Sequence, residues 1–211
     1  MVPKPQRSFY VKMPSPILNA TIQGCVLAAL SNMVAQTISA YKTGASHAIN
    51  WTPIVQFIFF CIMNTPPNFM WQSYLESAFP STYTSPTPSA IAAAATNNDK
   101  ELDREEKKHE MVEEKLSVPN TLIKFFLDQT IGAALNTVMF SLAMAGFRRA
   151  TFQQAVWSAR EEFWPLMSAG WTLWPAVSAL NFTVVRSVEL RQLVGGLAGF
   201  GWNVYLSLLT E

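Results

Sequence analysis

The side chains able to do chemistry are few and lie far apart. Asp128 is the one carboxylate with long apolar runs on both sides, and Lys124 stands four residues before it. On a helix that interval is about 6 Å along the axis, so the two side chains share a face and can pair. Two roles are open to Asp128. It is either one member of an ion pair that holds helices together or a charge beside an aqueous path for solutes. His47 and His109 have no Cys or carboxylate at metal-ligand spacing, and Cys25 and Cys61 sit inside apolar runs as small core residues. No nucleophile elbow or phosphate loop is present, and Gly195–Gly201 is too loosely patterned for a dinucleotide loop. Neither catalysis nor a metal nor a cofactor is expected from these residues.

The elements that must carry them are set by where the charges are missing. The 211 residues are 50% hydrophobic and 14% charged, against about 25% charged in a typical soluble chain. Of the 29 Asp, Glu, Lys and Arg residues, 13 fall between Asp99 and Leu116. Uncharged runs cover Met13–Tyr41, Thr43–Leu75, Phe163–Val185 and Gln192–Thr210, and Asp128 alone interrupts the run between Lys124 and Arg148. A bilayer core of roughly 30 Å is crossed by about 20 apolar residues. Five segments meet or approach that length. A chain this short cannot bury five all-apolar helices in a soluble bundle, because its outer helices would need a polar face. The expected fold is therefore all-α, a polytopic membrane helical bundle of about four transmembrane helices plus a fifth apolar C-terminal segment. Net charge +1 excludes a strongly basic nucleic-acid binder.

The apolar runs carry amides: Asn19, Gln23, Asn32 and Gln36, then Gln56 and Asn64, then Gln129 and Asn136 beside Asp128, then Asn181. Amides facing lipid are costly, so these are expected to turn inward as pore-lining or interhelical groups, with Gln36, Asn64, Asp128, Gln129, Asn136 and Asn181 as the candidates. Trp51, Trp71, Trp164 and Trp202 lie near segment ends, as interfacial anchors do. Small residues at packing spacing, such as Gly24 with Ala28 and Gly195 with Gly199, suit close helix contacts. Pro175 is expected to break or bend its helix and free the carbonyl of Trp171. Asn181, seven residues after Trp174, is expected to bond a neighbouring helix.

Four regions follow: a basic tail over 1–15, two membrane helices over 16–78, a flexible and charged extramembrane insert over 79–118, and C-terminal membrane helices over 119–211. Within the insert, Ser81–Ala95 reads as flexible and Asp99–Leu116 as a solvated polar helix. With four spans, ten Lys and Arg residues share the side of the tail and insert, against Lys42, Arg148, Arg149 and Arg160 opposite. That asymmetry puts the tail on the cytosol-like or matrix-like side, and a fifth span would move the C-terminus across.

The C-terminal third carries a specific pattern. Trp171-x-x-Trp174-Pro175, then Asn181-Phe182-x-x-Val185, then Trp202-Asn203-x-Tyr205-Leu206-Ser207 resembles the signature of the Mpv-seventeen / twenty-two-kilodalton peroxisomal membrane protein (PMP) family. Lys124 with Asp128-Gln129, Ala35-Gln36, and Pro67 with Trp71 and Tyr74 extend the likeness to nearly the whole chain outside the tail and insert. Three positions depart from it. Ser178 stands where the family usually has Gln, Arg186 where it has Pro, and Arg191 follows Val185 by six residues instead of five.

The resemblance implies an organellar membrane protein of about four spans, from a family found in the peroxisomal membrane and the mitochondrial inner membrane. Several members are regarded as pores or channels for small solutes. Asn32 and Phe163-Trp164-Pro165 look more like the peroxisomal branch. The expected partners are the lipid bilayer, a second copy in a homo-oligomer, and small solutes if the bundle conducts; nucleic acid is not among them. Two functions remain open, a weakly selective solute path lined by amides and Asp128, and a non-conducting structural or assembly component.

Overall fold

The computed structural model describes residues 15–44, 48–96 and 111–209, with isolated positions 100, 104 and 106. The basic tail, His47, His109 and most of the charged stretch lie outside these residues. Seven helices and one two-stranded sheet are described: α1 Pro16–Thr43, α2 Trp51–Ala78, β1 Thr82–Pro86, α3 Pro88–Ala95, β2 Val112–Leu116, α4 Val118–Phe147, α5 Phe152–Gly170, α6 Trp174–Thr183 and α7 Val188–Leu209. Of these, α1 and α4 are long and apolar enough to cross a membrane.

Local chemistry sets the ends. Ser15 caps α1 by accepting from Leu18 N, and Gly44 ends it in the left-handed region at φ 64°. Asn50 caps α2, and its backbone N–H and carbonyl are both held by the Gln36 amide at 2.8 and 2.9 Å, which ties the end of α1 to the start of α2. A Thr151–Gln154 capping box opens α5.

The main helices alternate in direction. α2 runs back along α1, with Cys25 Sγ near the Ile58 carbonyl. α4 returns along α2 through edge-to-face stacking of Phe60 on Phe140 and Phe59 on Phe147. α5 reverses again, placing Thr137 against Met167 and Ser141 against Glu162. α6 continues that descent, and α7 then rises parallel to α1, where Ser31 Oγ donates to the Phe200 carbonyl. The start of α1, the insert, the start of α4 and the start of α7 thus share one end of the bundle.

Polarity is inverted relative to a water-soluble globule. Among the described residues, large apolar side chains such as Leu18, Ile22, Val26 and Leu30 form an exposed stripe on α1, while the largest fully buried side chains are Arg191 and Lys124. Such a surface suits an apolar solvent.

Two sequence expectations are corrected here and one is refined. The break expected in Phe163–Val185 is present, but it lies at Trp171–Leu173, ahead of Pro175, which sits in the first turn of α6, where its missing N–H costs nothing. Part of the insert is regular: Thr87 caps α3, and β1 pairs antiparallel with β2 from Thr82↔Leu116 to Pro86↔Val112. Val112–Leu116 is therefore strand instead of the end of a polar helix, since its alternating side chains pair across the strands. Asn19 and Gln23 are exposed on α1 instead of turned inward.

At Gly132 of α4 an added Cβ would lie 2.7 Å from Trp71 Nε1 of α2. Gly132→Ala should therefore destabilise the bundle by about 1–3 kcal/mol in detergent thermal unfolding. Gly146→Ala, with nothing within 4 Å of its Cβ, should be neutral or slightly stabilising.

Candidate functional site

On α2, Asn68, Gln72 and Glu76 recur every four residues and so form a slowly winding polar stripe. Between them they reach α4 and α7. Asn68 Oδ1 accepts from Gln192 Nε2 of α7 at 2.9 Å. Gln72 Nε2 donates to Asp128 Oδ1 of α4 at 2.8 Å. Glu76 Oε2 accepts from Lys124 Nζ of α4 at 2.8 Å and from Arg191 Nη1 of α7 at 2.6 Å. Together they make a seam through the middle of the bundle.

The charged layer lies at the insert end. Lys124 and Arg191 are 0% and 2% exposed, so neither cation can turn to water. Ser81 closes the group: its N–H and Oγ donate to Glu76 at 2.7 and 2.9 Å, and its Oγ meets Arg191 Nη2 at 3.2 Å and Lys124 Nζ. Arg191 Nε also donates to the carbonyls of Asn181 and Val185 at 3.0 and 2.9 Å, satisfying groups that the end of α6 leaves open. Both cations lie 5.2 Å from the centroid of the Phe182 ring, which adds cation–π attraction from below.

One turn further in, α4 widens into a π-helical turn at Asp128–Gly132. Such turns leave backbone carbonyls short of their usual donors and recur at functional sites. Here the Trp171 indole N–H donates to the Gln129 carbonyl at 3.1 Å. The Asp128 carboxylate accepts from Gln72, from Ser178 Oγ at 2.7 Å and from Gln129 Nε2 at 3.2 Å. No cation pairs with it among the described residues. The expected Lys124–Asp128 ion pair is thus corrected: Lys124 is committed to Glu76, and three neutral donors occupy the Asp128 oxygens.

Four buried oxygens in and beside this seam have no hydrogen-bond partner: Gln72 Oε1, Thr121 Oγ1, Gln129 Oε1 and Asn181 Oδ1. A buried unsatisfied group costs about 1–3 kcal/mol, so this region is strained for polar partners.

The remaining candidates divide. Asn181 is buried, and its Nδ2 donates to the Arg191 carbonyl of α7 at 3.4 Å, the interhelical bond expected of it. Trp174 packs between Gly170 and Gly199, within 3.3 and 3.9 Å of where their Cβ atoms would stand. Trp202 and Tyr205 stack on each other at 5.7 Å on α7. Asn64 continues the α2 stripe and is half-buried, Gln36 serves as the clamp on α2, and Asn136 is exposed on α4 away from the seam.

Glu76 was not legible as a site residue, although it is the only acid in the first 98 residues, and Arg191 stood out only for its altered spacing. Glu76→Gln should be the most damaging single change, about 3–5 kcal/mol, because it strands two buried cations. Asp128→Asn should cost only about 1–2 kcal/mol, since it strands a neutral donor. Unfolding of both variants in detergent checks the ranking, and the reverse order would make Asp128 the electrostatic centre.

Comparison with known proteins finds likeness over the C-terminal helices and, at lower identity, over nearly the whole chain. The family model described as Mpv17 / PMP22 family matches residues 145–207, which hold α5, α6, Arg191 and most of α7. Protein SYM1 of Saccharomyces cerevisiae is 30% identical over 88 residues, 42% of this chain and 44% of that protein. PXMP2/4 family protein 3 of Dictyostelium discoideum is 24% identical over 194 residues, covering 92% of this chain and 84% of its own. Protein sym1 of Schizosaccharomyces pombe is 23% identical with the same coverage of both chains. The chain thus spans less than half of the budding-yeast relative and most of the other two. No solved structure matches. Through the signature in α5 to α7 and these relatives, the chain is similar to the Mpv17 / PMP22 family, whose model it matches over residues 145–207.

Proposed function

We propose that this chain is a multi-pass membrane protein of an organelle whose polar seam is a closed path for small solutes. Five elements cross in this reading: α1, α2, α4, α5 continued by α6, and α7. The observation that carries it is the pair of unpartnered buried amide oxygens beside Asp128, Gln72 Oε1 and Gln129 Oε1. A bundle held by packing alone has no use for them, whereas water or a polar solute entering the seam would satisfy them. Asp128, without a cation partner, then biases which ions enter. No step of covalent chemistry is part of this role.

Purified full-length protein in liposomes should release small neutral and charged solutes while retaining large ones, and Asp128→Asn should reduce cation preference in planar bilayers. Retention of every solute would overturn conduction. The alternative, a non-conducting structural or assembly component, is favoured by one feature, the tight Glu76–Lys124–Arg191 group that ties three helices at the insert end.

Topology and address are testable separately. Because α7 rises parallel to α1, the C-terminus should be protected from protease wherever the insert is cut, in sealed organelles. Equal accessibility would return the chain to four crossings. We assign the peroxisomal membrane on Asn32 and Phe163-Trp164-Pro165; recovery of tagged protein with the mitochondrial inner membrane would overturn that assignment.

A further inference from the structure

Helices α1 and α2 approach closely at Gly24. A Cβ added there would stand 2.8 Å from Cys61 Sγ, so the absent side chain is what lets the Cys61 thiol lie against α1. Cys25, the next residue on α1, turns to the same place. Its Sγ is 3.8 Å from the carbonyl oxygen of Ile58, three residues before Cys61 on α2. A helix carbonyl points along the axis toward the following turn, so that oxygen stands beside Cys61. The two thiols interact directly there, and both are half-buried and free.

The polar seam makes no use of this pair. It joins α2 to α4 and α7, whereas the cysteines face each other between α2 and α1. A disulfide requires Cα atoms no more than about 7 Å apart. Helices come that close where small residues line the contact, as Gly24 does here. Depth selects the oxidant. Cys25 is nine residues past Pro16, about 14 Å along the axis of an apolar helix. Ions are costly at that depth, so the reagent must be small and uncharged, as hydrogen peroxide is. The Thr65 hydroxyl lies 3.3 Å from Cys61 Sγ. It can donate to that sulfur as the proton leaves, which favours Cys61 as the attacking thiol.

We propose that Cys25 and Cys61 form a peroxide-driven switch that reversibly ties α1 to α2 through a disulfide. The Cys61 sulfur attacks one peroxide oxygen, the O–O bond breaks, and the departing hydroxide takes the thiol proton to leave as water. A sulfenic acid remains on Cys61. The Cys25 sulfur then attacks the Cys61 sulfur, the S–S bond forms, and the hydroxyl leaves with the Cys25 proton as a second water. The two thiols together lose two electrons and the peroxide gains them. The link restrains α2, the helix whose Asn68, Gln72 and Glu76 organise the seam. This inference rests on the membrane reading above but not on conduction, and its readout is thiol state, not flux.

The test uses full-length protein in phosphatidylcholine liposomes, treated with hydrogen peroxide and then denatured in the presence of a maleimide. Untreated protein should take two labels and treated protein none, with both labels recovered after dithiothreitol. Cleavage at Lys42 separates the two cysteines, so treated protein should release joined peptides that part only on reduction. The linked form should also unfold at a higher temperature than the reduced form. Cys25→Ala should lose that shift and stop at a Cys61 sulfenic acid that dimedone traps, and Cys61→Ala should lose the shift as well. Two labels on treated wild type, a link between two copies in place of one within a chain, or peptides that part at Lys42 without reductant would each overturn the proposal. Liposomes that retain every solute while the link still forms would sink the pore and leave this switch standing.

Discussion

The Glu76 carboxylate is the hinge of the arrangement. It takes two buried cations on one oxygen, Lys124 from α4 and Arg191 from α7, and the Ser81 N–H on the other. Arg191 in turn holds the carbonyls of Asn181 and Val185, so the end of α6 is bound to the same group. Four helices and the first residue of the insert's hairpin arm are thereby fixed at one point. In an apolar solvent, burying Leu against Leu supplies little preference for one helix arrangement over another. A carboxylate that must neutralise two particular cations supplies a strong one, because every misregistered packing leaves a charge unpaired.

The layer around Asp128 is built on the opposite principle. Its donors are neutral, its carboxylate has no cation, and neighbouring amide oxygens go unpartnered. The difference lies in how tightly the groups are held. The insert end is held by charge-assisted bonds, while the two amide oxygens beside Asp128 retain unmet hydrogen-bonding capacity. A solute path and a structural tie are therefore compatible in one seam, the tie closing one end.

Backbone irregularity collects at the same depth. The π-helical turn of α4, the break at Trp171–Leu173 and the α6 start at Pro175 all adjoin Asp128 and Gln129. The Trp171 indole bonded to the Gln129 carbonyl joins two of these irregularities directly. Irregular backbone in an apolar medium is tolerated where protein or water satisfies it. Ser178 fits this setting, since its short hydroxyl reaches Asp128 at 2.7 Å.

The helical class was legible along the chain, because charge depletion is a local property. So was the break at Pro175, which follows from a missing N–H, and the inward turn of Asn181, which follows from its spacing. Which cation meets which acid was not. Lys124 and Asp128 are neighbours on one helix and looked like partners, but Lys124 pairs with Glu76, 48 residues away, and Arg191 comes from 115 residues away. The strand at Val112–Leu116 escaped notice for the same reason, since its polar composition reads as helix until Thr82–Pro86 is set beside it. Composition decides that a charge needs a partner; only the folding of distant helices into contact decides which one, because pairing energy depends on distance in space and not in sequence.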